Sequence, residues 1–332
     1  MRNTRYKTHE IAKQAGVSPA SVSRAINHPE LLSEESLEKI KATMQAMGYD
    51  LNEIFHNESK DIILINFPHG TNPFYEEVIA GIISSAECNG YYTLLNYTKL
   101  DENNIEDFIR MLRVAKVKGI ITLSQISSEI LYMINAVVPV VQCCEFNDRT
   151  TLPYVSIDDY MAAKNAVKYL IASGRKKIAF LNGPKRYKYS RERLRGFLDA
   201  LAEEEITIPE EWIMHVPHIE YQMADTLISR VLADDNKPDA VFASSDVLAA
   251  AVVNRAVYSE LRVPDDLMVI GFDNISLCQI VRPSLTSVHQ PKHKLGFTAC
   301  EMLNEKIKGK TLKVNEVLLS TELVIRGSTE HQ

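Results

Sequence analysis

The hydrophobic residues of this 332-residue chain are spaced in two different ways along its length. In the first 49 residues they recur at every third or fourth position, which predicts short amphipathic helices. Beyond residue 61, short β-branched runs such as IILINF, GIITLS and AVFASS alternate with longer amphipathic stretches. This alternation predicts parallel sheets flanked by helices, and because the rhythm restarts at KKIAFLNG (residues 176–183), it predicts two lobes.

Two helices are predicted around the segment GVSPASVSRAIN, residues 16–27. The first begins at Thr8 or His9 and ends at Gly16, because glycine readily adopts the left-handed conformation that closes a helix. The second begins at Pro19, since proline is tolerated in the first turn and Ser18 before it is a preferred N-cap residue.

The second helix has two distinct faces when its residues are projected at about 100° per residue. The apolar face consists of Val22, Ala25 and Ile26. The opposite face, which carries small or polar side chains, consists of Ala20, Ser23, Arg24 and Asn27. A third helix is predicted from the cap residue Ser33 to Gly48. Its apolar stripe, which completes a three-helix core, consists of Leu37, Ile40, Met44 and Met47.

Charge is distributed unevenly along the chain. The net charge is −6 at pH 7, which by itself argues against a nucleic-acid partner. Residues 1–28, however, contain five basic residues and one acidic residue, so this segment carries +4 and the remainder −10. A basic N-terminal segment on an acidic remainder indicates a small electrostatic contact surface attached to a part of the chain that does not itself bind DNA or membranes.

Composition and cysteine usage indicate an ordinary globular protein of more than one domain, with 45% hydrophobic and 24% charged residues. No apolar run approaches the roughly 18 residues of a membrane span, and the first residues lack the apolar stretch of a signal peptide. We therefore expect a cytoplasmic protein without a membrane partner. The five cysteines show no CxxC spacing and predict neither a disulfide framework nor a metal site, but reduced core residues: Cys88, Cys143, Cys144, Cys278 and Cys300.

Two short helices joined by a glycine-containing turn, the second with small polar residues and one arginine outward, have the organisation of a helix-turn-helix. Small side chains let such a helix enter a major groove about 12 Å wide, where Arg24 can donate two hydrogen bonds to guanine. The alternative is a surface helix with a solvated polar face. The three-helix core favours the first interpretation, because a solvated helix pair does not require a third helix.

The segment IAKQAGVSPASVSRAIN, followed by GYDLN, resembles the DNA-binding head of the lactose/galactose repressor family. That family has the pattern A-x-x-A-G-V-S-x-x-T-V-S-R-x-x-N followed by a G-Y-x-P-N linker. The resemblance implies that Pro19, Ala20 and Arg24 face base edges. It also implies a set of residues that hold the phosphates: Ser18, Ser21, Ser23 and Asn27.

The linker departs from the family pattern, in which a hinge helix carries a leucine that wedges into the minor groove. Here Leu51 replaces the family's proline, Phe55 replaces an alanine, and Glu58 stands where the leucine is expected. A carboxylate beside phosphates is repelled, so Glu58 is not the wedge. Either Ile54 or Phe55 takes that role, or the linker stays loosely ordered; the acidic residues of the segment favour loose order.

In the body, polar and aromatic residues follow the predicted strands, where doubly wound sheets bind their ligands. These segments are PHGTNPF, GPKRYKYSRER, SSD and GFDN. The motifs GxGxxG, GxxxxGK[ST], HExxH and GxSxG do not occur, so dinucleotide, P-loop and common hydrolytic chemistry are unsupported. We expect a ligand-binding protein that is not an enzyme and needs no cofactor.

The family resemblance extends through the body on the segments NPFYEEVIAGI, RLRGFLDAL, ASSDVLA, VIGFDN, PSLTSVHQP and LVIRGST. It implies an effector-binding core similar to periplasmic sugar-binding proteins. Family positions assign three effector contacts: Phe74 after the first strand, Arg193 on the first helix of the second lobe, and Asp273 at the end of a late strand. His218 falls where relatives have a second stacking aromatic, and Ser245 where some have an asparagine. Their structural alternatives are a core position for Phe74, a surface ion pair for Arg193 and a turn cap for Asp273.

Together these features predict an all-α helix-turn-helix head and an α/β body with two doubly wound parallel-sheet lobes. We assign residues 1–49 to the head and 50–60 to the linker. The first lobe comprises residues 61–159 and 291–319, and the second comprises 160–290 and 320–330. We use the names head, linker and body for residues 1–49, 50–60 and 61–330.

The resemblance implies the function of a transcriptional regulator, and specifically a repressor, whose homodimer binds a pseudo-palindromic operator under the control of a small-molecule effector. The chain looks most like the cytidine-repressor branch of the family, which implies a nucleoside effector. A pentose or another sugar is the alternative effector. The alternative class of protein is a cytoplasmic sugar-binding module without a DNA function.

Overall fold

The computed structural model describes residues 7–55, 60–68 and 72–330, and two compact units divide between Lys60 and Asp61. The first unit contains four α-helices in its described residues: α1 (Thr8–Ala15), α2 (Pro19–Asn27), α3 (Glu34–Ala46) and α4 (Leu51–Phe55). Gly16 ends α1 in the left-handed conformation, with φ of 64°. The side chains of Ser18 and Ser33 accept N-cap hydrogen bonds at α2 and α3, as predicted.

A small apolar core holds the head together. Its fully enclosed side chains come from all three predicted helices: Ile11, Val22, Ala25, Ile40 and Met44. The three helices and their packing faces are thus confirmed.

The prediction of a loosely ordered linker is wrong for residues 51–55, which form α4. Ile54 is only 8% exposed and joins the head core, while Phe55 packs against that core and lies beneath the ammonium group of Lys41. Burial of these two apolar side chains stabilises the helix despite the acidic residues in the segment. Glu58 lies outside the described residues.

The first lobe of the body has a six-stranded sheet in the order β11-β5-β4-β3-β1-β2, in which the paired strands are parallel. Its strands are β1 (Asp61–Asn66), β2 (Tyr91–Asn96), β3 (Val117–Thr122), β4 (Val140–Cys143), β5 (Tyr154–Ile157) and β11 (Glu316–Leu319). The helices packed on it are α5 (Phe74–Cys88), α6 (Ile105–Val114), α7 (Ser128–Asn135) and α13 (Lys292–Ile307). Helices α5 and α13 meet at Gly81 and Gly296, where a Cβ atom on either glycine would overlap the backbone of the other helix.

The second lobe has a six-stranded sheet in the order β12-β10-β9-β8-β6-β7. Its strands are β6 (Ile178–Asn182), β7 (Ile213–His215), β8 (Ala240–Ala243), β9 (Met268–Asp273), β10 (Thr286–His289) and β12 (Glu322–Val324). Its helices are α8 (Asp159–Ala172), α9 (Lys188–Glu203), α10 (Tyr221–Leu232), α11 (Asp246–Tyr258) and α12 (Leu277–Ile280). The two-lobe α/β architecture is confirmed.

Two details of the second lobe differ from the expectation. Strand β12 pairs with β10 in the antiparallel direction, so this sheet is not purely parallel. An antiparallel edge strand on a parallel sheet is a common arrangement, because no further helix has to follow an edge strand. Arg193 lies on α9, which is the second helix of the lobe rather than the first, since α8 enters the lobe directly after β5 and packs against α9.

Candidate functional site

The polar face of α2 is exposed, as its helical projection predicts. Pro19, Ala20, Ser23, Arg24 and Asn27 are all accessible to solvent, whereas Val22 and Ala25 on the opposite face are completely buried. The helix therefore presents one arginine among small side chains. This surface is shaped to approach a concave polyanion such as a DNA groove.

Several of the predicted phosphate-binding groups already make hydrogen bonds within the head. The Ser18 hydroxyl accepts a hydrogen bond from the Ser21 backbone N–H at 3.1 Å and lies 2.9 Å from the Ser21 hydroxyl. The Asn27 side-chain amide donates to the Ser23 carbonyl at 2.8 Å. These hydrogen bonds orient the side chains before any partner arrives, which lowers the entropy cost of binding.

In the body, a cavity of about 1060 Å³ opens between the two lobes at the carboxyl ends of their strands. All five predicted effector contacts line it: Phe74, Arg193, His218, Ser245 and Asp273. They come from separate parts of the chain, and the doubly wound topology brings them to the same cleft.

Arg193 is the most heavily bonded of the five. Its guanidinium group donates to Asp159 Oδ1 through Nε at 2.9 Å and to the Ser244 carbonyl through Nη1 at 2.6 Å. It also lies over the ring of Phe272, 3.4 Å from the centroid. The structural alternative of a surface ion pair is wrong, because the side chain of Arg193 is only 6% exposed and that of Asp159 only 2%.

Asp159 remains charged because two cationic side chains, Lys188 and Arg193, lie beside it. The Lys188 ammonium group lies 2.8 Å from Asp159 Oδ2. Burial acts to raise the pKa of Asp159, but the two neighbouring cations outweigh burial and hold that pKa below its usual value. The carboxylate thus fixes the position of Arg193 on the cavity wall.

Asp273 is held by a different set of partners. The Gln290 side-chain amide donates to its Oδ1 at 2.7 Å, the Lys292 ammonium donates to its carbonyl at 2.8 Å, and Arg193 Nη1 lies 3.9 Å from Oδ1. Burial raises the pKa of Asp273 to about 7, because the nearby cation of Arg193 compensates only in part and the buried Asp246 adds a second negative charge.

The other three predicted residues have different environments. Phe74 is 6% exposed and belongs to the hydrophobic core as well as to the cavity wall, with Tyr75 edge-on at 5.3 Å between ring centroids. Ser245 caps α11 by accepting a hydrogen bond from Leu248 N–H, so its hydroxyl oxygen already has a structural use. His218 is exposed at the rim of the cavity.

The sequence reasoning does not single out Glu145, which proves to be a central group of the cavity. Glu145 follows β4 in the first lobe, and its carboxylate accepts hydrogen bonds from the N–H groups of Lys188 and Tyr189 at the start of α9 in the second lobe. The residue is only 2% exposed, and burial raises its pKa against the opposing effect of these hydrogen bonds. A carboxylate at a helix N-terminus is a stabilising arrangement, and here it joins the two lobes.

Several tyrosines on the cavity wall are also absent from the predicted set. Tyr75 in the first lobe and Tyr187 and Tyr189 in the second all line the cavity, and the last two rings stack with their centroids 5.6 Å apart. Burial raises the pKa of Tyr75 and of Tyr189, so both hydroxyls keep their protons at neutral pH. The rule that ligands lie at the carboxyl ends of strands, applied to β4 and to the KRYKY segment, would have pointed to these residues and to Glu145.

The cavity therefore combines flat aromatic rings with a fixed guanidinium group and carboxylates, a combination suited to a ligand with both a ring face and hydroxyl groups. Among the residues that the structure describes, no cluster of three or more His, Cys, Asp or Glu side chains could hold a metal ion. Within the same residues, no helix is both long enough and apolar enough to span a membrane.

Comparison with known proteins identifies the family. Residues 7–52 match the bacterial regulatory proteins of the lacI family, and residues 167–329 match a periplasmic binding protein-like domain. The HTH-type transcriptional repressor CytR of Escherichia coli is 31% identical over 327 residues, which cover 96% of this chain and 95% of CytR. The HTH-type transcriptional repressor PurR of Photobacterium profundum is 31% identical over 328 residues, which cover 97% of this chain and 98% of PurR.

A solved structure agrees with these relatives. The transcriptional regulator CelR in complex with cellobiose superimposes with a TM-score of 0.72 at 26% sequence identity, and the match covers 98% of this chain and 100% of CelR. The full-length match, the exposed face of α2 and the ligand-sized cavity lead to one conclusion. The chain belongs to the lacI family of bacterial regulatory proteins and is a ligand-responsive transcriptional repressor that binds DNA.

Proposed function

We propose that the effector of this repressor is a nucleoside, bound in the cavity between the lobes. The observation that carries the proposal is that one cavity is lined by Phe74 from the first lobe and by Arg193 and Asp273 from the second. An aromatic face can stack on a nucleobase, while an adjacent carboxylate and guanidinium group can bind the hydroxyls of a ribose. The 31% identity to CytR over nearly the full chain also supports this class of effector.

The head contacts its operator through α2 in this proposal. Pro19, Ala20 and Arg24 face the base edges, while the phosphates are held by Ser18, Ser21, Ser23 and Asn27. Support comes from the exposed face of α2 and from its arginine, whose paired donors match the two acceptors of guanine. A homodimer places two heads on the two halves of a pseudo-palindromic site, and the protein acts in the cytoplasm, where the chromosome lies.

Effector binding changes operator affinity by favouring one arrangement of the two lobes. Differential affinity for the two arrangements has to supply the coupling, typically about 1–3 kcal/mol. The Glu145 contact with α9 is one interaction between the lobes that such a change would alter. We infer that the bound ligand is not turned over, because the cavity wall carries no recognisable pair of nucleophile and general base among its described residues.

Isothermal titration of the full-length protein with cytidine, adenosine, ribose, glucose and cellobiose tests the nucleoside proposal. We expect heat with at least one nucleoside at concentrations where free ribose gives none, since the base adds the stacking contact. Phe74→Leu should weaken nucleoside binding far more than ribose binding. Heat with the sugars and none with either nucleoside would refute the proposal.

A sugar effector is the second candidate, and the similarity to the CelR–cellobiose complex favours it. Sugars bind to aromatic faces and to Asp–Arg pairs by the same chemistry, so the cavity accommodates either class. The same titration separates the two candidates. A gel shift with genomic fragments at stated salt then tests whether the effector that gives heat also changes DNA affinity, because phosphate contacts weaken steeply with ionic strength.

A further inference from the structure

The end of β4 contains two consecutive cysteines whose sulfur atoms are in contact. Consecutive side chains of an extended strand point to opposite faces, which would separate Cys143 from Cys144. Cys144, however, has φ of 66° in the left-handed region, and the Glu145 N–H donates to the Cys143 carbonyl at 2.9 Å. This three-residue turn is of the rarer γ type. It turns the second side chain back, so that the two Sγ atoms lie 3.7 Å apart.

The neighbouring strand β5 holds this turn in place. The Ser156 hydroxyl on β5 donates to the Cys144 carbonyl at 2.7 Å, and the Cys144 N–H donates to the Val155 carbonyl at 2.8 Å. A non-glycine residue with positive φ is uncommon and persists only where the surrounding structure determines it. The contact between the sulfurs is therefore built into the sheet.

Of the two cysteines, Cys144 lines the cavity and Cys143 does not, so a small molecule in the cavity contacts Cys144 first. Cys144 is half-buried and lines the cavity, whereas Cys143 lies directly behind it and is completely buried. The other cysteines lie elsewhere, with Cys88 exposed on α5 and with Cys278 and Cys300 in the core. A reagent that enters the cavity meets the Cys144 thiol first and the Cys143 thiol second.

The Cys144 thiol is protonated, so a reaction at this pair has to remove a thiol proton. The hydrogen bond with Cys143, together with burial, raises the pKa of Cys144, so this thiol stays protonated at neutral pH. Reactions of a cysteine proceed through its thiolate, so the raised pKa slows bond formation at Cys144 without preventing it. Condensation with a hydrated trivalent arsenical replaces two As–OH bonds by two As–S bonds. Each thiol proton leaves with a hydroxyl group as water, and arsenic stays trivalent.

The distance between the sulfurs also fits a bridging atom better than a direct bond. A disulfide needs about 2.0 Å between sulfurs, far less than the observed 3.7 Å. A structural zinc ion takes four protein ligands, and the described residues offer no cluster of three. Trivalent arsenic needs only two sulfurs from the protein, because its third substituent comes with the compound and can extend into the cavity.

We propose that Cys143 and Cys144 form a vicinal dithiol site for a trivalent arsenical, opening on the effector cavity. Cys144 forms the first As–S bond and Cys143 closes the chelate. An arsenical bound there places its third substituent beside Tyr75 and Glu145, in space that the effector would use. This last consequence, competition with the effector, rests on the proposed nucleoside function; the chelate itself does not.

The test uses the reduced full-length protein with phenylarsine oxide in excess 2-mercaptoethanol, followed by intact-mass measurement. The monothiol displaces arsenic held by one cysteine, whereas a chelate persists because the second bond forms at high effective concentration, which strengthens retention by about 100-fold or more. We expect one retained phenylarsenic group per chain. Cys144→Ser and Cys143→Ala should each abolish retention, and the matched control Cys88→Ser, which changes an exposed single thiol, should not.

Absence of a retained adduct in the wild-type protein, or equal retention in Cys144→Ser, would overturn the proposal. Thermal unfolding of each variant shows whether it is folded. Cys144→Ser decides the question if Cys143→Ala does not fold, because Cys144 is on the cavity wall rather than in the core. Cytidine or adenosine, whichever gives heat in the titration, should at saturation slow adduct formation at least about 10-fold. Adduct formation that neither nucleoside slows would leave the dithiol site standing and count against the nucleoside effector alone.

Discussion

The head and the body place their candidate binding groups in opposite environments. On α2 of the head, Arg24 and Ser23 are exposed and lie above a small apolar core. Around the cavity of the body, Arg193, Asp159 and Asp273 are almost completely buried and bonded to one another or to the backbone. A partner as large as DNA can be met by an exposed helix face, whereas a small ligand has to be enclosed.

The two environments predict different consequences for the removal of an arginine. An exposed arginine interacts with water until DNA replaces it, so its removal changes binding and leaves folding nearly untouched. A buried arginine that pairs with a buried carboxylate is part of the folded structure, so its removal changes both binding and folding. Four substitutions or conditions test this contrast, in decreasing order of expected effect.

Arg193→Ala should produce the largest effect. It leaves the buried Asp159 carboxylate with Lys188 as its remaining cationic neighbour, and we expect the free energy of unfolding to fall by about 3 kcal/mol. Urea denaturation followed by the fluorescence of Trp212, the one tryptophan of the chain, measures this loss. The matched control Arg195→Ala on the same helix removes an exposed ion pair and a cation–π contact with Tyr160, and it should change stability by less than about 1 kcal/mol. Equal effects of the two substitutions would contradict the contrast.

Arg24→Ala should weaken operator binding by about 1–3 kcal/mol without changing the free energy of unfolding. Fluorescence anisotropy with an operator selected from a random pool measures the affinity at fixed salt. Arg110→Ala on the exposed surface of the body serves as the control and should leave DNA binding unchanged. If Arg24→Ala weakens binding to every sequence by the same factor, then Arg24 contacts phosphate rather than a base.

Effector affinity should rise with pH through about 7. The pKa of Asp273 is raised to about 7. Its ionised carboxylate accepts stronger hydrogen bonds from ligand hydroxyls than the protonated acid does. Below that value the affinity should fall by up to about 10-fold per pH unit, and Asp273→Asn should remove most of this dependence. Titrations between about pH 5.5 and about pH 8.5 measure it. The charged groups that face Asp273 are Arg193, Lys292 and Asp246. Because the pKa of Asp246 is about 6, a smaller pH dependence of effector affinity should remain near that pH in Asp273→Asn.

The same pKa shift makes the free energy of unfolding change with pH in the opposite direction to effector affinity. Because the pKa of Asp273 is raised above its unfolded value of about 3.9, the folded protein binds more protons between that pH and about 7. The contribution of Asp273 to the free energy of unfolding should therefore decrease as pH rises through this window.

A pH-independent effector affinity in the wild-type protein would show that Asp273 does not accept hydrogen bonds from the ligand.

Ser18→Ala should have the smallest effect. It removes the N-cap hydrogen bond of α2 and should destabilise the head by about 1 kcal/mol. Faster hydrogen exchange of the α2 amides, measured by mass spectrometry, reports this loss in the intact protein. Ser23→Ala on the exposed face is the matched control and should weaken DNA binding without changing exchange. Identical exchange in both variants would show that the cap does not stabilise α2.

The head could be predicted from the sequence almost completely. Each of its helices begins and ends at a local signal such as Ser18, Gly16 or Ser33, and the core needs only contacts between neighbours in the chain. The linker was the exception, because the burial of Ile54 against the head core outweighs the acidic composition that favoured loose order.

The cavity could be predicted only in part. Phe74, Arg193 and Asp273 follow from the family resemblance, but their partners do not follow from any local pattern. Glu145 and Asp159 stand after short strands and look like ordinary loop carboxylates in the sequence. Their function depends on hydrogen bonds with α9, whose donors Lys188 and Arg193 lie 43 and 34 residues further along the chain.

Local signals in the chain are sufficient to predict the helix-turn-helix, the alternation of strands and helices, and the two lobes, and motif resemblance is sufficient to predict the family. The first three features depend on the spacing of apolar residues and on caps, which act over a few neighbouring positions. Three other features become visible in the folded protein alone: Asp159 and Lys188 hold Arg193, Glu145 joins the lobes, and the sulfurs of Cys143 and Cys144 meet at the cavity. Such contacts depend on how separate strands and helices pack together, and the spacing of residues along the chain does not encode that packing in a local form.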